Sequence, residues 1–403
     1  MSVNRCLSGL RCSVGFVHYS YATNKGFTGG RIYDSTDDFL LNTNTLVLVI
    51  FVLCVALFLS WLYFIGARYF TKTFIRATGI LNIVFAVATG IYYIAKKQYG
   101  GGIVFIIFGF FAMNCFITWI PHIPFAAFML QTAMNVARNH GHVFLVSALG
   151  GLVTVAFSAW LSVTLVAIYV KYGPDSAGTD PSCTNGGCST AKVIGLTVYV
   201  TFAMYWFSEW VKNAVHTTVA GVYGSWYFWS KSASGMPKGS TRGALRRATT
   251  YSFGSISLGS LIIGIIEMLR QACSHRLSVS GYIISLIDWL VSQFNRYAFC
   301  HIALYGKAYI PAAKDMWKIM RDRGIDALVQ NCLIGPVLTM VIMAFSFVIG
   351  LQICQVFVTP IDSGVETIFV AMSWDPQVMI NDHPDIYYKL VQLCPRLQQA
   401  IHA

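Results

Sequence analysis

Apolar runs of about 20 residues recur along the chain, each long enough to cross ~30 Å of hydrocarbon as a helix. They are Leu46–Ile65, Ala77–Ala95, Ile103–Ile120, Val143–Val170, Val193 to about Val222, Tyr251–Leu269, Tyr282–Tyr305 and Leu333–Val358. Arg76 and Lys96 bound the second run, and Pro121 stops the third. A shorter run, Ser363–Trp374, comes last. Short polar stretches separate the runs; Gly100-Gly101-Gly102 reads as a tight turn between two of them. The pattern predicts an all-α integral membrane protein, a polytopic helical bundle of about nine spans. Residues 1–43 hold no comparable run and read as an extramembrane N-terminal segment. Residues 44–375 read as the transmembrane bundle, and residues 376–403 as a cytosolic C-terminal tail.

Composition agrees with the pattern. Of the 403 residues, 56% are hydrophobic and 11% charged, where a soluble domain carries about 25% charged residues. The chain lacks the polar residues to cover a soluble core. A soluble enzyme, a disordered chain and a nucleic-acid binder are thereby excluded. The net charge of +12 would otherwise invite a nucleic-acid reading. Most of the basic residues, however, sit in the short loops between apolar runs. With nine spans, one set of loops holds sixteen basic residues and the alternate set nine. The richer set is expected on the cytosolic side. That choice puts the C-terminus inside and the N-terminus outside.

The loop between Lys171 and Lys192 then faces outward, where a disulfide between Cys183 and Cys188 is allowed. Asn185-Gly186-Gly187 supplies turn chemistry between them. Two cysteines without a nearby histidine do not complete a zinc shell, so no metal site and no cofactor are expected. The remaining nine cysteines are scattered and read as small apolar packing residues.

Ionisable groups inside apolar runs carry the chemistry, because each is costly in lipid and must meet a partner or water. Four acids qualify: Glu209, Glu267, Asp288 and Glu366. Lys212, Asn213 and His216 follow Glu209 on one helix face. Two readings stay open there: an internal Glu–Lys pair, or a cation or proton site. Tyr205, Trp206 and Trp210 surround Glu209 in sequence, and aromatic faces attract quaternary ammonium ions. Packing against lipid is the plainer role for the two tryptophans. Further along, Tyr223, Trp226, Tyr227, Phe228 and Trp229 read as an interfacial aromatic belt. Glu267 and Arg270 have the spacing of an ion pair; Arg296 is expected to snorkel or to pair across helices. Ser252, Ser255, Gly259, Ser260 and Gly264 recur at a helical spacing that lets helices approach closely. Gly235–Gly243 is glycine-rich and basic but lacks phosphate-loop spacing. With no catalytic constellation in view, the chain does not read as an enzyme.

Several blocks resemble the choline transporter-like family, and within it the fungal pH-nine-sensitive protein branch. They are Gly221–Tyr227, Ala248–Leu261, Asn295–Lys307 and Gly364–Val370, with Asp375-Pro376 and Pro384 in the tail; Phe39–Thr45 and the Cys183/Cys188 loop match the fungal branch. The resemblance covers roughly residues 39–395. It implies a ten-span fold with both termini cytosolic, and it implies that Ser363–Trp374 belongs to the last span. Residues 1–38 match neither the cytosolic tail nor the first span of that pattern. The implied function is transport of choline or a related organic cation, expected to be gradient-driven alternating access in the plasma membrane. Glu209, Trp206, Trp210, Tyr205 and His216 are the candidate substrate-binding residues, read from the sequence itself and not carried from a family motif. The alternative is a non-transporting scaffold or lipid-interacting protein, whose basic loops at Lys231–Arg247 and Lys307–Arg323 would engage partners or anionic lipid.

Overall fold

The computed structural model describes residues 71–97, 99–172, 189–274, 279–323 and 348–393. Leu46–Ile65, the Cys183/Cys188 loop and residues 333–347 lie outside the described residues. All regular structure among the described residues is helical: α1 (Thr71–Ala95), α2 (Tyr99–Trp119), a 3-10 turn (Ile120–His122), α3 (Ile123–Asn139), α4 (His142–Tyr172), α5 (Thr190–Trp229), α6 (Ser240–Thr249), α7 (Phe253–Ser274), α8 (Val279–Tyr305), α9 (Tyr309–Arg323), α10 (Val348–Trp374), α11 (Pro376–Asp382) and α12 (Pro384–Leu393). His142–Tyr169, Thr190–Trp229 and Phe253–Arg270 are each long and apolar enough to span a membrane. Large apolar side chains point outward from α1, α2 and α4, among them Phe85, Phe111 and Leu152. In water such a surface would drive association; against lipid tails it is solvated. The protein is an all-α integral membrane protein, a polytopic bundle.

The described residues fall into two compact units. The first comprises Leu149–Lys212 and Ser257–Ser292. There α7 approaches α5 closely enough that a Cβ on Gly264 would lie 3.3 Å from the Trp206 Cα. One small residue of the expected stripe thus sets a helix contact, as small residues do in membranes.

The second unit draws on Phe51–Ala148, Asn213–Ile256 and Gln293–Ala403. Its centre is α3, whose apolar residues are buried on nearly every side. A helix apolar all round belongs inside protein. At 17 residues it is too short to read as a span, which is why the periodicity did not announce it. Helices α1, α10 and α12 pack on it.

Three features differ from the sequence expectations. The glycine triplet is no turn: it forms the first turn of α2, and the chain reverses at Lys96-Lys97, with Lys97 at φ 62°. A Cβ on Gly102 would sit 2.5 Å from Ile94 and one on Gly90 would sit 3.1 Å from the Gly102 carbonyl, so the glycines serve the α1–α2 crossing. Ser363–Trp374 is no separate short run, as its length alone suggested, but part of a longer helix, as the resemblance implied: α10 runs through Pro360 without interruption. Proline removes one N–H and crowds the preceding turn, but a membrane helix tolerates it where neighbours meet the freed carbonyl. Tyr223 and Tyr227 are not belt residues. Both are fully buried, and their hydroxyls donate to the Ala133 carbonyl (2.8 Å) and the Asp375 carbonyl (2.9 Å). A tyrosine can be buried whole when its hydroxyl finds an acceptor.

Candidate functional site

In the first unit, the α5 stretch carrying Tyr205, Trp206, Glu209 and Trp210 is rich in ring contacts. Phe207 stands 3.9 Å from Phe157 of α4, centroid to centroid, and 6.1 Å from Trp210. Trp206 lies 6.0 Å from Phe202 and is partly exposed, while its Nε1 donates to the Ser257 carbonyl of α7 at 3.2 Å. That bond fixes the plane of the indole. Glu209 is mostly buried and accepts a hydrogen bond from Lys212 Nζ at 3.1 Å, while the Lys212 side chain is 61% exposed. The i,i+3 pair expected from spacing therefore forms. It is asymmetric: a sheltered carboxylate is met by an ammonium whose side chain is mostly exposed. Glu267 and Arg270 also pair, at 2.5 Å.

His216, the fifth candidate, follows in the same helix but belongs to the second unit. Its ring enters a buried polar cluster contributed by α5, α8 and α10. Nδ1 lies 2.7 Å from Ser363 Oγ, and Nε2 lies 3.0 Å from the Arg296 carbonyl. Nε2 is also 3.4 Å from Cys300 Sγ and 3.6 Å from Glu366 Oε2. Arg296 spans two acids on successive turns of α10: it hydrogen-bonds Asp362, and its Nε stands 3.0 Å from Glu366 Oε1. Thr367 Oγ1 lies 3.5 Å from Cys300 Sγ. Arg296 thus pairs across helices, one of the two roles expected of it. Two carboxylates face one guanidinium here, in surroundings where an uncompensated charge is costly.

The structure therefore places Tyr205, Trp206, Glu209 and Trp210 in one unit and His216 in the other. Asp288 lies on α8, but its side chain is outside the described residues. Sequence reasoning marked Glu366 and Arg296 and missed Asp362 and Cys300. Asp362 was hidden in the gap between Val358 and Ser363. Cys300 carries no local spacing signal, since its partners are far away in sequence.

Outside the spans, a histidine anchors the tail. His383, at the α11–α12 junction, lies against the Trp226 ring at 4.7 Å, with Nε2 at 3.3 Å from both Ser230 Oγ and the Tyr227 carbonyl. Burial pushes its pKa below the usual 6.5, and nearby Lys231 pushes the same way. The Tyr227 carbonyl and Asp382 oppose that shift. Residues 376–393, expected as a plain tail, are thus docked: Met379, Tyr387 and Leu390 join the core around α3.

Comparison with known proteins decides the family. The profile of the plasma-membrane choline transporter family matches residues 103–344 and 338–377. The chain belongs to this family. Among curated relatives, Protein pns1 of Aspergillus fumigatus is 64% identical over 96% of this chain and 81% of its own length. Protein PNS1 of Gibberella zeae is 51% identical over 96% of this chain and 80% of its own length. The Saccharomyces cerevisiae protein of the same name is 36% identical over 91% of this chain and 77% of its own length. The resemblance read from the sequence blocks is confirmed at the level of the family and its fungal members. Membership places the chain among membrane transporters.

Proposed function

We propose that the protein carries choline or a related organic cation across the plasma membrane, driven by a gradient through alternating access. The supporting observation is Glu209. This carboxylate is sheltered on an aromatic-rich stretch of α5, and the side chain of the cation that meets it, Lys212, is 61% exposed. An ammonium on an exposed, flexible stem is readily exchanged for another cation. A quaternary ammonium gains cation–π attraction from Trp206, Trp210 and Tyr205. Such attraction contributes about 0.5–2 kcal/mol per well-placed ring. In this reading Glu209 balances the charge and the tryptophans wall the site. His216 acts from the buried cluster, where a change of helix position can be coupled to transport. The bundle spans residues 44–375 and residues 376–403 are the cytosolic tail.

The site is tested by titrating purified protein with choline and tetramethylammonium, following tryptophan fluorescence. Glu209→Gln and Trp206→Ala should each raise the dissociation constant at least tenfold; unchanged affinity in both would discard these residues as the site.

A second reading, a lipid-interacting protein that moves no solute, is favoured by one feature. In the second unit a cavity of about 560 Å³ is bordered by Arg247, Lys307, Ser252, Ser255 and Tyr251, with no acid in its lining. Lys307 is partly spent on Asp315, at 2.6 Å. Anionic headgroups suit such a border. Binding to anionic vesicles that is lost on Arg247→Glu, with no flux of any amine, would favour this reading over transport.

A further inference from the structure

We propose that His216, Cys300 and Glu366 form a binding site for a divalent transition metal of the zinc class. The three side chains come from α5, α8 and α10, and their donor atoms lie within 4.8 Å of one another. Two of the three separations have the right size. Zinc bonds of about 2.0–2.3 Å in tetrahedral array put neighbouring donors about 3.3–3.6 Å apart. His216 Nε2 stands 3.4 Å from Cys300 Sγ and 3.6 Å from Glu366 Oε2.

The surrounding groups are those that orient metal ligands. A coordinating imidazole is held through its other nitrogen, and a coordinating carboxylate through its other oxygen. His216 Nδ1 faces Ser363 Oγ at 2.7 Å. Glu366 Oε1 is held by Arg296 Nε at 3.0 Å, which leaves Oε2 towards the imidazole. Cys300 Sγ has Thr367 Oγ1 at 3.5 Å, but that hydroxyl donates its proton to the Ser363 carbonyl at 2.6 Å. His216 and Glu366 thus each have a partner on the atom that does not coordinate. His216 Nε2 also meets the Arg296 carbonyl at 3.0 Å. Loading exchanges that contact for the metal, with the imidazole proton resting on Nδ1 and donated to Ser363.

Charge closes as well. Asp362 and Arg296 neutralise each other, leaving Glu366 at −1. A divalent ion displaces the thiol proton of Cys300 to water; the thiolate and the Glu366 carboxylate then sum to −2 against +2. A buried cluster otherwise left with excess negative charge becomes neutral. Water fills the fourth position, and Asp362 Oδ1, buried with no partner among the described residues, is an acceptor in the same cluster. The ion fastens three helices of one unit. Because the site is enclosed, the ion should survive purification.

The test is metal analysis of full-length protein, purified through a tag that does not chelate and washed with a chelator. About one zinc per chain is expected. After exchange, cobalt(II) should give an intense near-ultraviolet thiolate-to-cobalt band and visible bands of a tetrahedral ion. Cys300→Ser should remove the thiolate band and at least nine-tenths of the zinc. Clearly substoichiometric metal in the wild-type chain, with no cobalt band, overturns the proposal whether or not the variant folds. Equal metal or an equal band in folded Cys300→Ser overturns it too, by assigning the metal to other cysteines.

Discussion

Replacing Arg296 with methionine isolates what holds α8 against α10. In the metal-free protein, methionine keeps the unbranched stem and deletes the guanidinium, leaving Asp362 and Glu366 facing each other with no cation between them. The Glu366 side chain is 1% exposed and that of Asp362 12%, so neither can recover full hydration in place. Removing one partner from a buried ion pair costs about 3–5 kcal/mol. Two features pull the value towards the lower end. The Arg296 side chain is itself 26% exposed, and His216 at 3.6 Å can take a proton and meet Glu366. A loss of about 3 kcal/mol is expected, roughly a hundredfold or more in the folding equilibrium. The assay is reversible unfolding in mixed detergent–lipid micelles. Adding Asp362→Asn and Glu366→Gln to Arg296→Met should recover most of the loss, because the stranded charges are gone. Arg296→Lys should fall between, since an ammonium cannot fork across two acids. If Arg296→Met unfolds within about 0.5 kcal/mol of the wild type, or if neutralising the acids recovers nothing, the cluster does not hold these helices.

Further outcomes follow from particular contacts. Gly364→Ala places a Cβ 2.2 Å from the Tyr223 ring, so the ring or α10 must move; a loss of about 1–3 kcal/mol is expected, and an unchanged melting temperature would show that the ring yields freely. Tyr223→Phe should cost about 0.5–1.5 kcal/mol by removing the hydrogen bond to Ala133, measured in the same unfolding assay. His383 has a folded pKa below its unfolded 6.5, so the unfolded state takes up the proton first as pH falls. The docked tail is therefore fully stabilised above about pH 6.5 and loosens below it. Hydrogen exchange over residues 376–393 should rise with acidification in the wild type and lose that pH dependence in His383→Asn.

The membrane class and the spans within α4, α5 and α7 were legible because lipid allows few solutions: about 20 apolar residues, hydrogen-bonded within themselves. Pairs within one helix, Glu209–Lys212 and Glu267–Arg270, were legible from i,i+3 spacing alone. What stayed hidden depends on tertiary neighbours. Helix α3 is short because it is wrapped in protein and need not cross lipid. The gap between Val358 and Ser363 is bridged by α10, and it concealed Asp362. Gly100–Gly102 carry turn chemistry but serve a close helix crossing. Tyr223 and Tyr227 resemble belt residues until Ala133 and Asp375 accept their hydroxyls. The meeting of His216, Cys300 and Glu366 has no local signature, since three separate helices bring it about.

Flux tests the central claim most directly. Purified chain in sealed proteoliposomes is given labelled choline, with and without imposed proton and sodium gradients, alongside empty vesicles and Glu209→Gln. Saturable uptake that responds to a gradient, is inhibited by competing amines and falls at least tenfold in the mutant is the predicted result. Folded protein that takes up no amine under any gradient, or uptake unchanged in Glu209→Gln, would contradict it.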